Sequence, residues 1–484
     1  MKKRANVKTN AAFNMIKTVF QIIFPLITFP YISRVLHAEN VGKVNYASSI
    51  YTYIALFASL SISTYAIRTC IAYRDDREKL SEIASQIFSI NMVATIIAYI
   101  ITIVVLLLTK SVETKILIAI YCSNIIFTTL GADWINNVEE DFKFISIRTV
   151  AFQFLSLILM FAFVRKASDF YIYAFISFIS TSGANIINLF YRKKFCKIKF
   201  TLKMNLQRHL SPVMKFFAQV VTQQIYVNSD VIMLGWMSTN VQVGLYSTAS
   251  KIYNIVSTLI ASIFTVVLPS ASNLWETESY DEFNRLLRKI LLFLMFIGLP
   301  CATGLIFASK DILILIAGQE YSVASTALII FGITLIFSYI HGFIGTLIII
   351  PQGNFNIGVV SAIVSSSVNV VLNIFLIPRW GYVAAAFTTL IAEILACIIH
   401  ATKIDKNVKI KNVAKPLIHY IIACAVMAGY IYLLDHYMSL RLSRTILVIG
   451  GSAVIYFLVL LICRDEILME SLRGIMNKLK RKAA

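Results

Sequence analysis

The amino-acid sequence predicts an all-α polytopic membrane protein with about 14 transmembrane helices. Three observations carry this. Of the 484 residues, 58% are hydrophobic and 14% charged, whereas soluble domains hold about 25% charged residues. The apolar residues gather into stretches of about 20 or more, the length that crosses a ~30 Å hydrocarbon layer. Backbone in lipid must satisfy its own hydrogen bonds, so such stretches are helices. The chain also repeats itself. Residues 41–51 align with 243–253 at an offset of 202, sharing Val, Gly, Ala, Ser, Ile and Tyr, six positions of eleven. Both copies stand at the same place relative to their long apolar stretches, which points to duplication.

In chain order the stretches run 12–34, 44–69, 83–109, 116–137, 144–164 and 169–190, then 210–235, 244–271, 287–308, 324–350, 356–377, 381–401, 413–434 and 443–463. Residues 1–8 look like the basic start of a signal peptide. However, Asn14, Lys17, Gln21 and Pro25 interrupt the apolar run after it and no small-residue cleavage site appears, so the first stretch reads as a retained span. The repeat offset pairs the first span with the seventh and the second with the eighth. Six spans per copy is an even number, so both copies insert with the same orientation, giving two parallel-repeat six-helix lobes. The expected organisation is an N-terminal lobe with a basic linker over 1–208, a C-terminal lobe over 209–405, and two further helices with a basic tail over 406–484.

The formal net charge of +20 invites a nucleic-acid reading, which the placement of the charges argues against. With the N-terminus inside, the cytoplasmic segments hold 29 Lys and Arg and the external segments 10, while five are embedded in spans. That asymmetry predicts a plasma-membrane protein with both termini cytoplasmic. Residues 191–208 interleave basic and apolar side chains, as suits a linker resting on the anionic inner leaflet. The seven cysteines are scattered without a CxxC or neighbouring histidines, so no disulfide framework, metal or cofactor is expected. The sequence has no P-loop, G-x-S-x-G or H-E-x-x-H, and its six histidines are dispersed, so the chain does not read as an enzyme. His341, alone well inside a span, reads as a packing residue.

An ionisable group inside a span is costly unless it meets water or a partner. The embedded cations are Lys17, Arg68, Arg148, Lys215 and Lys251. Asn14, Lys17, Gln21 and Thr28 share one helix face, as do Lys215, Gln219, Thr222, Tyr226 and Asp230. The same holds for Ser247, Lys251, Asn254, Thr258 and Ser262, and for Ser361, Ser365, Asn369 and Asn373. Polar faces inside a membrane look toward water, so these stripes predict a central cleft. Arg68 is also close enough to a span end to snorkel, and Arg148 lies within about one turn of one. Asp133, Asp230 and Glu393 are candidate gating or ion-coupling carboxylates. The balance leans toward cations, and so toward a phosphate-bearing substrate.

Residues 29–42, with Phe-Pro-Tyr-Ile-Ser-Arg and Val-Gly, resemble the first helix and turn of Wzx-type oligosaccharide flippases, of the multidrug/oligosaccharidyl-lipid/polysaccharide exporter superfamily. Asp230-x3-Leu-Gly with 243–252, and Asn369-x3-Asn373-x3-Ile-Pro-x2-Gly381-x3-Ala-Ala, resemble two further signatures of that family. The similarity runs from about 10 to 405, and His37 departs from it, standing where the family usually has a small residue. The resemblance implies two lobes around a central cavity and transport of an undecaprenyl-diphosphate-linked oligosaccharide from the cytoplasmic to the outer leaflet of a bacterial membrane by alternating access. Basic cleft residues would neutralise the diphosphate. Expected partners are that polyprenyl-diphosphate substrate, membrane lipids, and a polysaccharide polymerase with other envelope-assembly proteins, with no nucleic acid. The alternatives are a cation-coupled multidrug exporter of the same superfamily and a non-transporting scaffold of an envelope-assembly complex. A glycan polymerase or glycosyltransferase would need a long external loop or a catalytic carboxylate cluster.

Overall fold

The computed structural model describes residues 7–438, 442–470 and 473, and among these the chain is helical without strands. Eleven helical stretches are long and apolar enough to cross a membrane. Two of them hold a kink. Helix α1 (Val7–Ser59) bends at His37, whose φ of 62° and ψ of 168° are non-helical. The stretch that contains it, Ala12–Tyr73, runs for 62 residues and includes α2 (Ile62–Cys70). The later long helix, α14 (Phe355–Ala401), bends at Gly381, with φ 53° and ψ −131°. Both bends fall where the sequence placed a turn between two spans. The expected seventh span forms a 32-residue helix, α9 (Leu206–Met237). It lies outside the eleven because Lys215, Gln223, Gln224, Asn228 and Asp230 dilute its apolar character. A count of fourteen takes each kinked stretch as two crossings and adds α9.

Side-chain caps set several helix starts. Asp76 begins α3 (Arg77–Leu108), accepting from the backbone N–H groups of Glu78 and Lys79 at 3.2 and 3.1 Å. Ser111 caps α4 (Val112–Cys122) and Asp141 caps α7 (Phe142–Phe163). Each cap stabilises its helix by about 1 kcal/mol. Between α4 and α7 lie α5 (Asn124–Gly131) and α6 (Trp134–Val138), and α8 (Phe170–Tyr191) comes after α7. On α3, Ile96, Ile100, Ile103 and Leu107 are 53%, 57%, 57% and 76% exposed, in steps of four, three and four. An exposed apolar stripe of that length suits lipid and not water.

The chain forms two compact units, Met1–Gly244 and Leu245–Ala484. In the first, α1 packs on α3, α4 and α7 around Leu36, Val44, Ile54, Leu117 and Ile118. A second cluster joins Ile62, Leu80, Ile87, Ile135 and Phe195. The linker is docked on protein, where the sequence suggested a leaflet. Backbone N–H groups of Lys197, Lys199 and Thr201 donate to Oγ of Ser81, Ser85 and Ser89 at 3.1, 3.1 and 2.8 Å. Every second residue of a non-helical chain meets every fourth residue of α3. The spacings agree, because two extended residues advance about 6.6 Å and four helical ones about 6 Å.

Helix α10 (Asn240–Glu276) starts in the first unit and continues into the second, where α11 (Tyr280–Phe307), α12 (Ser309–Ile316) and α13 (Ser325–Ile344) follow it. After α14 come α15 (Ala414–Tyr437), α16 (Leu442–Ile446) and α17 (Ser452–Ile462). Here α11 packs on α13 and α15, and α15 on α17, around Leu292, Met295, Tyr420, Met427 and Tyr456.

Candidate functional site

In the first unit three of the five embedded cations stand on accessible helix faces. Arg68 and Lys215 are exposed and Lys17 is half-buried, and none of the three makes a hydrogen bond or ion pair among the described residues. Burial of the opposite faces fixes these orientations. Tyr65 and Ala66 turn α2 inward beside Arg68, and Val213 and Phe217 flank Lys215 on the packed side of α9. Asn14 and Gln21 are exposed beside the half-buried Lys17, whereas Thr28, the last residue of the α1 stripe, is buried. The helix α9 stripe continues to Tyr226, half-buried, and Asp230, 4% exposed, and both have partners. The Gln219 side chain lies outside the described residues.

Arg148 is placed differently. It is 5% exposed, and its Nη2 donates to Asp133 Oδ1 at 2.5 Å. Its guanidinium also lies 5.4 Å from the centre of the Phe144 ring. Asp133 accepts from Asn136 Nδ2 at 3.2 Å, and Asn188 Nδ2 donates to Gly131 O at 2.8 Å. The Asp133 side chain borders a cavity of about 120 Å³ shared with Tyr51, Ser63, Asn91 and Thr128. This charge-neutral pair ties α7 to the start of α6 beside that small cavity.

In the second unit Lys251 is half-buried and partnered, and Asn254, exposed, donates to Ser250 Oγ at 3.2 Å. Asn369 and Asn373 are 4% and 0% exposed. Asn369 Nδ2 donates to Thr388 Oγ1 at 3.3 Å, Thr388 Oγ1 to Asn373 Oδ1 at 2.6 Å, and Asn373 Nδ2 to Asn369 Oδ1 at 3.2 Å. This ring ties the two arms of α14 across the Gly381 bend. Glu393 is 6% exposed, and its Oε2 lies 3.1 Å from His341 Nδ1. The His341 ring in turn stacks on His400 with centroids 4.8 Å apart.

Sequence reasoning missed Thr388, His400 and the serine ladder of α3. The ladder had a signal, a four-residue step of serines at 81, 85 and 89. Thr388 and His400 had none, because their partners lie on other helices or across a bend. Arg444, at the start of the last apolar stretch, is 4% exposed and bridges Asp311 at 2.9 Å and Asp435 at 2.6 Å. Among the described residues no group of His, Cys, Asp or Glu is arranged to hold a metal ion.

Long helices, two stretches of them kinked, with exposed apolar faces and with polar and charged side chains along the spans, define a polytopic membrane protein with a transporter fold. Residues 7–275, more than half of the chain, match the family described as "Polysaccharide biosynthesis protein", and the chain belongs to that family. Residues 216–375 also match the MatE family. The chain is similar to the capsular polysaccharide biosynthesis protein CapF of Staphylococcus aureus, 26% identical over 378 residues, covering 74% of this chain and 89% of CapF. It is similar to a putative O-antigen transporter of Escherichia coli K12, 23% identical over 56% of this chain and 66% of that protein. Among solved structures it resembles the lipid II flippase MurJ in an inward closed conformation, with TM-score 0.75 and 19% identity over 94% of this chain and 100% of that one. An inward-facing multidrug resistance MATE transporter gives TM-score 0.56 and 13% identity over 78% of this chain and 96% of that one. At these identities the structural likeness shows the fold.

Proposed function

We propose that this protein is a flippase that moves a polyprenyl-diphosphate-linked oligosaccharide from the cytoplasmic to the outer leaflet of a bacterial plasma membrane by alternating access. Both termini face the cytoplasm in this reading. The observation that carries it is the set of cations Lys17, Arg68 and Lys215, which stand on accessible faces of helices without an ion pair among the described residues. A lone cation facing hydrocarbon is unfavourable, so each turns to water or to an anion. Lys251 joins them in the proposed substrate-binding set, and Arg148 acts through its pair with Asp133. Lys and Arg neutralise a diphosphate directly. Polar residues such as Asn14, Gln21, Gln219, Tyr226 and Asn254 host the sugars, and the prenyl tail stays in lipid. The inside-negative potential helps to drive an anion outward by about 2.3 kcal/mol per charge per 100 mV. The capsule and O-antigen names of the relatives support a surface-polysaccharide repeat unit as cargo, with a polymerase acting after it.

The match of 216–375 to MatE favours a second reading, a cation-coupled drug exporter. It makes Asp133, Asp230 and Glu393 indispensable and the cations replaceable. One experiment separates the two. The protein and its Lys17→Ala, Arg68→Ala, Lys215→Ala and Lys251→Ala variants are reconstituted in vesicles with a fluorescent prenyl-diphosphate oligosaccharide. The flippase reading expects loss of translocation in two or more correctly folded variants. Full activity in all four removes these cations from the site.

A further inference from the structure

We propose that the second unit carries a binding site for a phosphate group, built where the loop 402–412 folds over the start of α11. A cavity of about 410 Å³ is lined there by Arg285, Arg288, Lys409 and Lys411, with Asp281 as the one carboxylate in its lining. Arg288 is already compensated, donating to both carboxylate oxygens of Glu466 at 3.2 and 2.7 Å. Arg285, Lys409 and Lys411 make no ion pair among the described residues. Three cations therefore converge on one cavity against a single acid, and an anionic phosphate group would offset that excess.

Basic loops are common beside membrane spans, and charge alone would not make a site. This loop is held in shape. Asn284 clasps it twice, donating from Nδ2 to Asn407 O at 2.9 Å and accepting at Oδ1 from the Lys409 N–H at 2.7 Å. Asp405 Oδ1 accepts from the Asn407 N–H at 2.8 Å, and Arg288 Nη2 donates to Asn412 O at 3.4 Å. Asn412 turns the chain with φ 58°, a left-handed conformation that asparagine tolerates well. The backbone that carries Lys409 and Lys411 is thus fixed before any ligand arrives, which lowers the ordering cost of binding.

The level of the cavity selects the source. The chain of α11 turns apolar at Ile290, Leu291 and Leu292, within about two turns of Arg285. The site therefore sits beside the lipid headgroups, on the face the Lys and Arg asymmetry assigns to the cytoplasm. Anionic phospholipid is the abundant phosphate carrier there, and basic pockets at helix ends suit its headgroup. This inference is independent of the transport reading and stands if that reading fails.

The test uses the full chain in neutral detergent and tracks its thermal midpoint during titration with short-chain phosphatidylglycerol, phosphatidylcholine or inorganic phosphate. We expect phosphatidylglycerol to raise the midpoint saturably and phosphatidylcholine not to. Arg285→Gln/Lys409→Gln/Lys411→Gln should weaken the apparent affinity by about tenfold or more, through loss of charge-assisted hydrogen bonds. An equal charge loss in the linker, Lys197→Gln/Lys199→Gln/Lys203→Gln, should leave it unchanged. A response to inorganic phosphate without one to phosphatidylglycerol would keep the site and make its ligand soluble. The proposal fails if the first variant responds like the parent, if the linker variant loses as much, or if no phosphate compound shifts the parent.

Discussion

Arg148 Nη2 and Asp133 Oδ1 meet at 2.5 Å, with the arginine side chain 4% and the aspartate side chain 39% exposed. The pair joins α7 to the segment that opens α6, and it is lopsided. The arginine depends on the aspartate, whereas the aspartate also borders a cavity and takes a second hydrogen bond from Asn136. Breaking a buried pair from one side leaves an uncompensated charge, a loss of about 3–5 kcal/mol, while replacing both members by apolar groups is often close to neutral. Asp133→Ala should therefore lower the unfolding midpoint in detergent more than the double variant Asp133→Ala/Arg148→Met does. Equal destabilisation by the single and double variants would show that the pair carries no coupling.

His37 has φ 62° and ψ 168°, a region that glycine enters freely and other residues enter at about 1–3 kcal/mol of strain. His37→Gly and His37→Ala both remove the side chain and its contacts, so their comparison isolates the backbone. The glycine variant should be the more stable of the two in thermal unfolding. If the alanine variant matches it, the bend of α1 holds no strain at this residue.

His209 stands one residue before the apolar stretch 210–235 and is 0% exposed. Tyr65 Oη lies 2.7 Å from its Nδ1 and Gln86 Oε1 lies 2.9 Å from its Nε2, which locks the start of α9 to α2 and α3. Burial, with help from Arg208, holds its imidazole below the ordinary histidine range. As pH falls, the unfolded chain takes up this proton first, because its value is the ordinary one, near 6.5. Stability is therefore full above that value and declines as pH falls toward the lower folded value, below which it levels off. Unfolding midpoints at pH 7.5 and 5.5 should show this decline, and His209→Gln should show less of it. The same decline in the variant would assign the effect to other groups.

The sequence made the spans legible because lipid imposes two strong constraints, apolar length and internally satisfied backbone. Breaks between successive apolar stretches fell close to both bends, at His37 and Gly381. Stripes at helical spacing located Lys17, Lys215 and Asn369 on faces, yet could not say which faces are packed. Asn369 and Asn373 show the limit. Their four-residue step is as consistent with a wet face as with the buried ring that Thr388 closes across the bend. Arg148 shows another, since its carboxylate partner is fifteen residues away on a different helix, and periodicity within one helix carries no trace of it.

Gly42 and Gly244 are equivalent positions of the repeat, and both lie in the first unit. A Cβ on Gly42 would come within 1.8 Å of Asn240 O and 3.0 Å of Gly244 N, and a Cβ on Gly244 within 2.0 Å of Ala38 O. Both obstacles are backbone, which cannot step aside as a side-chain tip can. The turn at 38–42 and the turn at 240–244 thus approach so closely that only glycine fits at each crossing, the role small residues play where helices in membranes touch. Gly42→Ala should force the two segments apart and lower the unfolding midpoint, as should Gly244→Ala. Once one substitution has opened the contact, the second has less left to disrupt, so the double variant should lose less than the sum of the singles. Additive losses would mean that the two glycines answer separate local demands and that their closeness carries no coupling.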